Sequence, residues 1–370
     1  MKKIKFIGKL LFFSNIVLAI ATLLAYVSPS VSPNLFWPVA FFGLALPYLL
    51  LLNFIFLLYW VFRGKTRLFL SLTVLILGYK SIPNFVQLRF DSDNTTEEYF
   101  KVLSFNVRVF DLYMWSKDRS TRNKIFDFLA EEDPDILCLQ EFYHTDSPDS
   151  NYIFTTLDTL KEFLSAKNYN VYYTSTLRDV DHWGLITFSK YPIIGKGFVP
   201  FAVKDDNACF YTDVQIEDQT IRIYNTHLAS IKLNKHDYKA MQEINKNEYS
   251  VDLNKEAMLL NKIKYGFIRR ASQADSIKKS MKASPHPVIL CGDFNDTPAS
   301  YAYNTIKGDL MDAFVESGSG LGRTYIGEFP SFRIDYIFHD KSIQASNFFT
   351  HPEKLSDHHP ISAKFKIEKN

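Results

Sequence analysis

Six short polar clusters, each at the end of an apolar run, hold the side chains with useful chemistry. Asn106 closes Leu103-Ser-Phe-Asn106, and Glu141 closes Leu137-Cys-Leu-Gln-Glu141. Tyr224-Asn225-Thr-His227 ends in an imidazole, and Gly292-Asp293-Phe-Asn295 joins a carboxylate to an amide. Arg333-Ile-Asp335-Tyr sets a carboxylate inside an apolar run, and Ser356-Asp357-His358 supplies an acid beside an imidazole. Singly, an Asn or Asp after a strand is most often a turn former. Asp335 is different, because a carboxylate between Ile334 and Tyr336 is costly unless it is paired or hydrogen-bonded. Jointly, six such strand ends with complementary chemistry are hard to credit to turns. Hard oxygen donors such as Glu141, without cysteine or His-rich spacing, suit Mg²⁺ rather than zinc. A carboxylate beside an imidazole can activate water or hold the ring in its working tautomer. Amides and a second histidine can bind phosphate oxygens as charge accumulates. The collection suits hydrolysis of a phosphate ester.

These groups need elements to position them. The pattern predicts strands over 101–107, 136–140, 171–175, 185–188, 209–216, 220–226, 288–291 and 334–338. It predicts helices over 122–132, 158–167 and 255–283. Strands interleaved with helices imply a layered α/β domain, and strand ends that converge on one rim can share a site. Cys138 and Cys291 end or occupy apolar runs and read as small core residues, and the three widely spaced cysteines form neither a disulfide framework nor a zinc pattern.

The chain divides sharply in charge. Residues 1–90 contain no Asp or Glu and nine basic residues. Removing those nine from 42 Lys+Arg leaves 33 against 40 Asp+Glu, a formal net of −7 for the remainder. That balance argues against a general polyanion binder, which would carry a basic field. Uncharged apolar stretches at about 10–27 and 36–62 are long enough to span a bilayer, and a third, 67–88, reaches spanning length only if the stretch around Lys80 and Pro83 belongs to it. A basic start before an apolar run is also the pattern of a signal peptide, but the second apolar run favours a multi-pass membrane region. The expected organisation is a transmembrane region of two or three helices over 1–90, a polar linker at 91–99 and a catalytic domain over 100–370. Lys2 to Lys9 and Arg63, Lys65 and Arg67 flank one side of the spans, whereas the turn 28–34 has no charge. By the positive-inside rule the N-terminus is cytoplasmic. Three spans would then put the catalytic domain outside the cytoplasm, which is the expected arrangement, and two would leave it inside.

The order of Ser-Phe-Asn106, Gln-Glu141, Asn-Thr-His227, Gly-Asp293-Phe-Asn295, Arg-Ile-Asp335-Tyr and Ser-Asp357-His358 resembles the endonuclease/exonuclease/phosphatase superfamily over about residues 100–368. The resemblance implies a four-layer α/β sandwich, two packed β-sheets flanked by helices. It implies a metal site of Glu141, Asn106 and Asp357 for Mg²⁺, with Mn²⁺ as a substitute. Asp293 would orient or deprotonate the attacking water, Asn295 would hold the phosphate, and His358 paired with Asp335 would act as base or stabilise the phosphorane. His227 would contact the phosphate or protonate the leaving oxygen. Signature segments of inositol polyphosphate phosphatases are missing at the corresponding places. Asn225, and Arg270 at the end of the basic stretch 231–270, are further candidates for contact with an anionic substrate. The expected function is a membrane-anchored metal-dependent phosphoesterase, with a phospholipid headgroup or extracellular nucleic acid as substrate, the bilayer as its partner through the N-terminal helices and no obligate protein partner. The alternative is a catalytically silent receptor or scaffold that keeps the fold.

Overall fold

The computed structural model describes residues 2–89, 99–146, 154–203, 206–231, 253–327 and 332–368. The expected linker, apart from Tyr99, and the basic residues of 232–246 lie outside these. The N-terminal helices are α1 (Lys2–Val27), the short α2 (Pro33–Phe36), α3 (Pro38–Phe62) and α4 (Leu68–Leu77). Two segments, Phe6–Ser30 and Pro38–Phe62, are long and apolar enough to cross a membrane, and only 22% and 17% of an apolar 18-residue stretch in each is buried. A core helix of a soluble domain would be covered on most of its surface. Several polar groups of the helices meet each other: Asn15 donates to Ser71 Oγ (2.8 Å), Trp60 to Asn15 (3.0 Å) and Asn53 to Thr22 Oγ1 (2.8 Å). The third element is shorter than the expected 67–88. It ends at Leu77, where Gly78 packs against Tyr26, and 3₁₀ turns over Tyr79–Asn84 carry Lys80 and Pro83.

Two six-stranded sheets form the remainder. The first has the order β11 (Ile343–Thr350), β12 (Ile361–Ile367), β1 (Phe100–Asn106), β2 (Ile136–Thr145), β4 (Asp181–Ser189), β3 (Asn168–Leu177). The second runs β5 (Ile193–Phe198), β6 (Ala208–Ile216), β7 (Gln219–His227), β8 (Val288–Asp293), β10 (Asp335–His339), β9 (Met311–Asp312). Each sheet is mixed: β1 pairs parallel with β2, and β7 with β8, amid antiparallel neighbours. All eight predicted strands are present, and β5, β9, β11 and β12 join them. The C-terminal β12 lies against β1 with Ser104 opposite Ile361.

Burial follows the alternation of strand side chains. Val102, Ile136, Cys138, Val214, Ile223, Cys291 and Ile337 fill the space between the sheets. Outside the first sheet, Ile125 and Leu129 of α5 (Thr121–Glu132) and Leu160 of α6 (Thr156–Phe163) cover Phe105, Leu137 and Phe188. Outside the second, Ala274 and Ile277 of α7 (Leu253–Lys282) and Ile306 of α8 (Tyr301–Lys307) cover Leu290 and Phe338. The result is a four-layer α/β sandwich, helix–sheet–sheet–helix. All three cysteines are free and buried, in keeping with the reading of Cys138 and Cys291 as core residues.

Candidate active site

The two parallel strand pairs end at the same edge of the sandwich. Asn106, at the end of β1, is level with Gln140 midway along β2, and Glu141 follows at the point where β2 shifts register against β4. Its φ of 51° is left-handed, a conformation costly for a residue with a Cβ and concentrated at functional sites. In the second sheet, His227 at the end of β7 lies opposite Asp293 at the end of β8, and Asp335 opens β10 opposite Asp293 from the other side. Gly292 permits this arrangement: at φ 146° a Cβ there would meet the Thr226 carbonyl oxygen at 1.9 Å, so only glycine lets β8 lie this close to β7 one residue before Asp293.

The side chains form a connected cluster. Asn106 Nδ2 donates to Glu141 Oε1 (3.2 Å) and to Asp293 Oδ2 (3.0 Å). The Asn295 amides bracket Asp293, its backbone N–H donating to Oδ1 (2.8 Å) and its Nδ2 to Oδ2 (3.2 Å). His358 Nδ1 meets Asp335 Oδ2 at 2.9 Å, and its Nε2 lies 3.6 Å from Asp293 Oδ2. His227 Nε2 lies 3.6 Å from Asp293 and 3.7 Å from Glu141, and has no hydrogen-bond partner among the described residues.

Burial sets the protonation preferences. It pushes Asp293 up to about 6, against the opposing pull of His358. Glu141 is raised by burial and then by the nearby Asp357 carboxylate. His227 is lowered, because burial outweighs the attraction of Asp293. His358 goes the other way: burial lowers it, but Asp335 and Asp293 together raise it well above the ordinary imidazole range. These shifts favour a cationic imidazole at His358 and a neutral one at His227. Atoms of Asp293, Asp335 and His358 lie within 4.8 Å of one another, close enough for a shared ion. The Asp335–His358 hydrogen bond already engages that imidazole, whereas Glu141, raised by burial and by Asp357, would gain from a nearby cation.

Not every expected residue enters the cluster in its expected manner. Asn106 turns its amide nitrogen to the carboxylates, and its oxygen accepts from the Arg108 backbone N–H at 3.1 Å. Asp357 binds Arg108, whose Nε is 3.3 Å from Oδ2. Arg108 is the cation the sequence reading missed. Residues 108–111 are all left-handed, and its guanidinium lies 4.3 Å over the Trp115 ring. Asn225 is sealed between the sheets, accepting from Gln140 Nε2 (2.8 Å) and donating to the carbonyls of Ile186 (2.9 Å) and Leu139 (3.2 Å). Arg270 borders the site cavity but is buried, donating to Asp296 (2.8 Å) and the Ala229 carbonyl (2.8 Å). Those two residues thus brace the site and do not present free groups to it.

The sequence profile of the endonuclease/exonuclease/phosphatase family matches residues 103–358. A second profile, of a domain of unknown function (DUF8431), matches residues 8–85. Among solved structures, an endonuclease/exonuclease/phosphatase family protein from Bacteroides thetaiotaomicron is similar with a TM-score of 0.51 at 19% identity, over 72% of this chain and 95% of the other. An endonuclease/exonuclease/phosphatase from Bacteroides vulgatus gives 0.51 at 17% identity, over 74% and 100%. One from Beutenbergia cavernae gives 0.50 at 16%, over 73% and 72%. At these identities the likeness concerns the fold. No curated protein matches the chain.

Proposed function

Because the chain belongs to the endonuclease/exonuclease/phosphatase family, and hence to hydrolases of phosphoester bonds, we propose that it is a membrane-anchored, Mg²⁺-dependent phosphoesterase. The observation that carries this reading is the cluster of Asn106, Glu141, His227, Asp293, Asp335 and His358 at facing sheet edges. The donor set fits a hard cation: oxygen ligands, no thiolate, and a Glu141 carboxylate raised by burial and by the neighbouring Asp357. Those two carboxylates would hold the ion, with Asn106 orienting Glu141. Bound there, Mg²⁺ would supply charge neutralisation for a phosphate oxygen.

The residues divide the remaining work. Asp293, poised near 6 by its surroundings, accepts the proton of the attacking water. His358, held in place and cationic by Asp335, faces the charge that builds on the phosphoryl oxygens. His227, neutral with a free Nε2, hydrogen-bonds a phosphate oxygen, joined by Arg108, while the Asn295 amide holds Asp293 in place beside them. In the reaction the water oxygen bonds phosphorus, the P–O bond to the leaving group breaks, and the displaced oxygen takes up a proton.

Placement in a membrane rests on the exposed apolar surfaces of α1 and α3. The catalytic domain packs on the end of the bundle that carries the uncharged turn 28–34, as in the bond from Asn304 to the Pro29 carbonyl (3.0 Å). Arg67 is at the other end, bonded to the Gly8 carbonyl (2.8 Å). Lys9, Arg63 and Lys65 are also at that other end, and α4 and the 3₁₀ turns to Asn84 bring the chain back to the catalytic domain in place of a third full-length span. The positive-inside rule therefore favours an extracytoplasmic catalytic domain. The test is hydrolysis of bis-p-nitrophenyl phosphate by the full chain in detergent. Activity should require Mg²⁺, vanish with EDTA and fall at least about a hundredfold in Glu141→Ala. A folded protein inert toward every phosphoester offered would support the scaffold alternative, and undiminished Glu141→Ala activity would remove Glu141 from the site.

A further inference from the structure

One wall of the catalytic cavity comes from the N-terminal bundle. The cavity, about 320 Å³, is bounded on its polar side by Glu141, Asp293 and His358 and on its apolar side by Leu44, Phe267 and Phe332. Leu44 belongs to α3, one of the two helices with the length and composition of a membrane span. Its position is fixed by contacts on either side. Phe41 packs edge-on against Phe267 with centroids 5.3 Å apart, and Tyr48 against Phe332 at 6.3 Å. Between them Gly43 is pressed so closely to the domain that a Cβ would come within 2.6 Å of the Ala299 carbonyl oxygen.

The depth of this wall follows from the partners of α3 within the bundle. Leu46 shares a buried cluster with Ala25 of α1 and Ala299 of the catalytic domain. The segment 43–48 is therefore level with the last turns of α1. At that level α1 turns Leu23, Leu24 and Val27 outward, exposed by 41%, 36% and 49%. One height of the bundle thus presents an apolar surface outward and forms the catalytic cavity on its other side. A domain perched above a bilayer on a stalk would contact only the loops between spans; here it also contacts about two turns of the span itself, from Phe41 to Tyr48.

We propose that the substrate is a membrane lipid carrying a phosphoester, which reaches the cavity from the bilayer surface, and that α3 is part of its binding site. The phosphate lies against the polar side, next to Arg108 and Asn295. The first carbons of the apolar portion lie against Leu44, Phe267 and Phe332. The inference rests on the phosphoesterase reading and on α1 and α3 crossing a bilayer, and it makes Leu44 a specificity-determining residue. A nucleic-acid strand gains nothing from such a wall, and the net acidic balance of the residues after 90 does not favour a polyanion.

The test uses the full chain in nanodiscs of phosphatidylethanolamine and phosphatidylglycerol, alone or doped with sphingomyelin or phosphatidate. Lipid products are followed by mass spectrometry beside hydrolysis of bis-p-nitrophenyl phosphate. At least one lipid should be hydrolysed, and Leu44→Asn should lower the ratio of lipid to soluble-diester rate by about fivefold or more, since it replaces an apolar contact that only the lipid uses. Leu44→Met should keep the ratio, and Leu44→Ala provides the same reading should Leu44→Asn fail to fold. Hydrolysis of the soluble diester with no lipid turned over would overturn this inference and leave the phosphoesterase intact. An equal loss on both substrates in every folded Leu44 variant would do the same. Inertness toward both would instead reject the phosphoesterase reading beneath it.

Discussion

Replacing Asp335 by asparagine isolates the acid–imidazole pair with little change of shape. Asp335 is buried, its backbone N–H donates to Thr324 Oγ1 at 3.1 Å, and its strand register opposite Asp293 is set by β10. Its carboxylate meets His358 Nδ1 at 2.9 Å. The substitution keeps volume and backbone contacts, removes the charge that holds His358 cationic, and offers an amide N–H or oxygen in its place. A hydrogen bond to a charged group contributes about 1.5–3 kcal/mol. If that interaction is fully realised where charge builds on the phosphate, kcat/KM falls by about 10- to 150-fold at about 1.4 kcal/mol per factor of ten. The measurement is steady-state hydrolysis of bis-p-nitrophenyl phosphate with saturating Mg²⁺, paired with thermal unfolding of the same preparation. The fall should be in kcat, because orientation of the imidazole matters most in the transition state. A loss below about threefold in a protein with an unchanged unfolding midpoint would refute the idea that Asp335 positions His358, since it lies far below the energy of one charge-assisted bond.

Two further substitutions separate bracing from binding. Asn225→Leu removes the 2.8 Å acceptor of the Gln140 amide and the donor to the Leu139 and Ile186 carbonyls between the sheets. It should cost about 2–4 kcal/mol and lower the calorimetric midpoint by about 5 °C or more; a wild-type midpoint would contradict the bracing role. Arg270→Met leaves Asp296 buried and unpaired and should cost about 3–5 kcal/mol, much of it recovered in Arg270→Met/Asp296→Leu. A raised KM with an unchanged midpoint in Arg270→Met would return that residue to the substrate.

The difference between the residues that were legible and those that were not is largely a matter of depth along a strand. His227 and Asn225 are two apart on β7 and so project to the same side. At the strand end that side opens on the cavity, while two residues earlier it faces the first sheet, and sequence alone gives no means of telling where the interior stops. Arg270 failed for a related reason: its partner Asp296 directly follows Asn295 in a motif read for catalysis, and no local pattern marks one carboxylate of such a run as an internal counter-ion. Arg108 escaped notice because its meaning lies in the contact with Asp357, from the far end of the chain. The strands bearing the site were readable because turns and polar motifs bound them. β11 and β12 were not, because their polar positions at Gln344, Asn347, Lys364 and Lys366 blur the apolar run. The four layers themselves came from family resemblance, which the inter-sheet core and the two helical covers bear out.

How the helical region is joined to the catalytic domain decides whether it is a tether or a component. A tether would leave the domain's polar interior satisfied by its own residues. Instead, buried Arg333 divides its donors between Asp312 (2.8 and 3.1 Å) and the Asn84 carbonyl (2.8 and 3.2 Å), which belongs to the 3₁₀ turns after α4. Gln87 pairs with Gly320 as an isolated bridge, and Asn304 bonds the Pro29 carbonyl. Each buried donor left without its acceptor costs about 1–3 kcal/mol, and domains hold together by only about 5–15 kcal/mol. Loss of the Asn84 carbonyl alone would therefore consume a measurable part of that stability, beside the apolar surface of Phe267 and Phe332 laid bare. The same strand that carries Asp335 begins two residues after Arg333, so the bundle supports the catalytic pair through the very segment that docks it. On these magnitudes the N-terminal helices are a structural part of the active site, and the apolar wall at Leu44 is continuous with the interface that holds the two regions together.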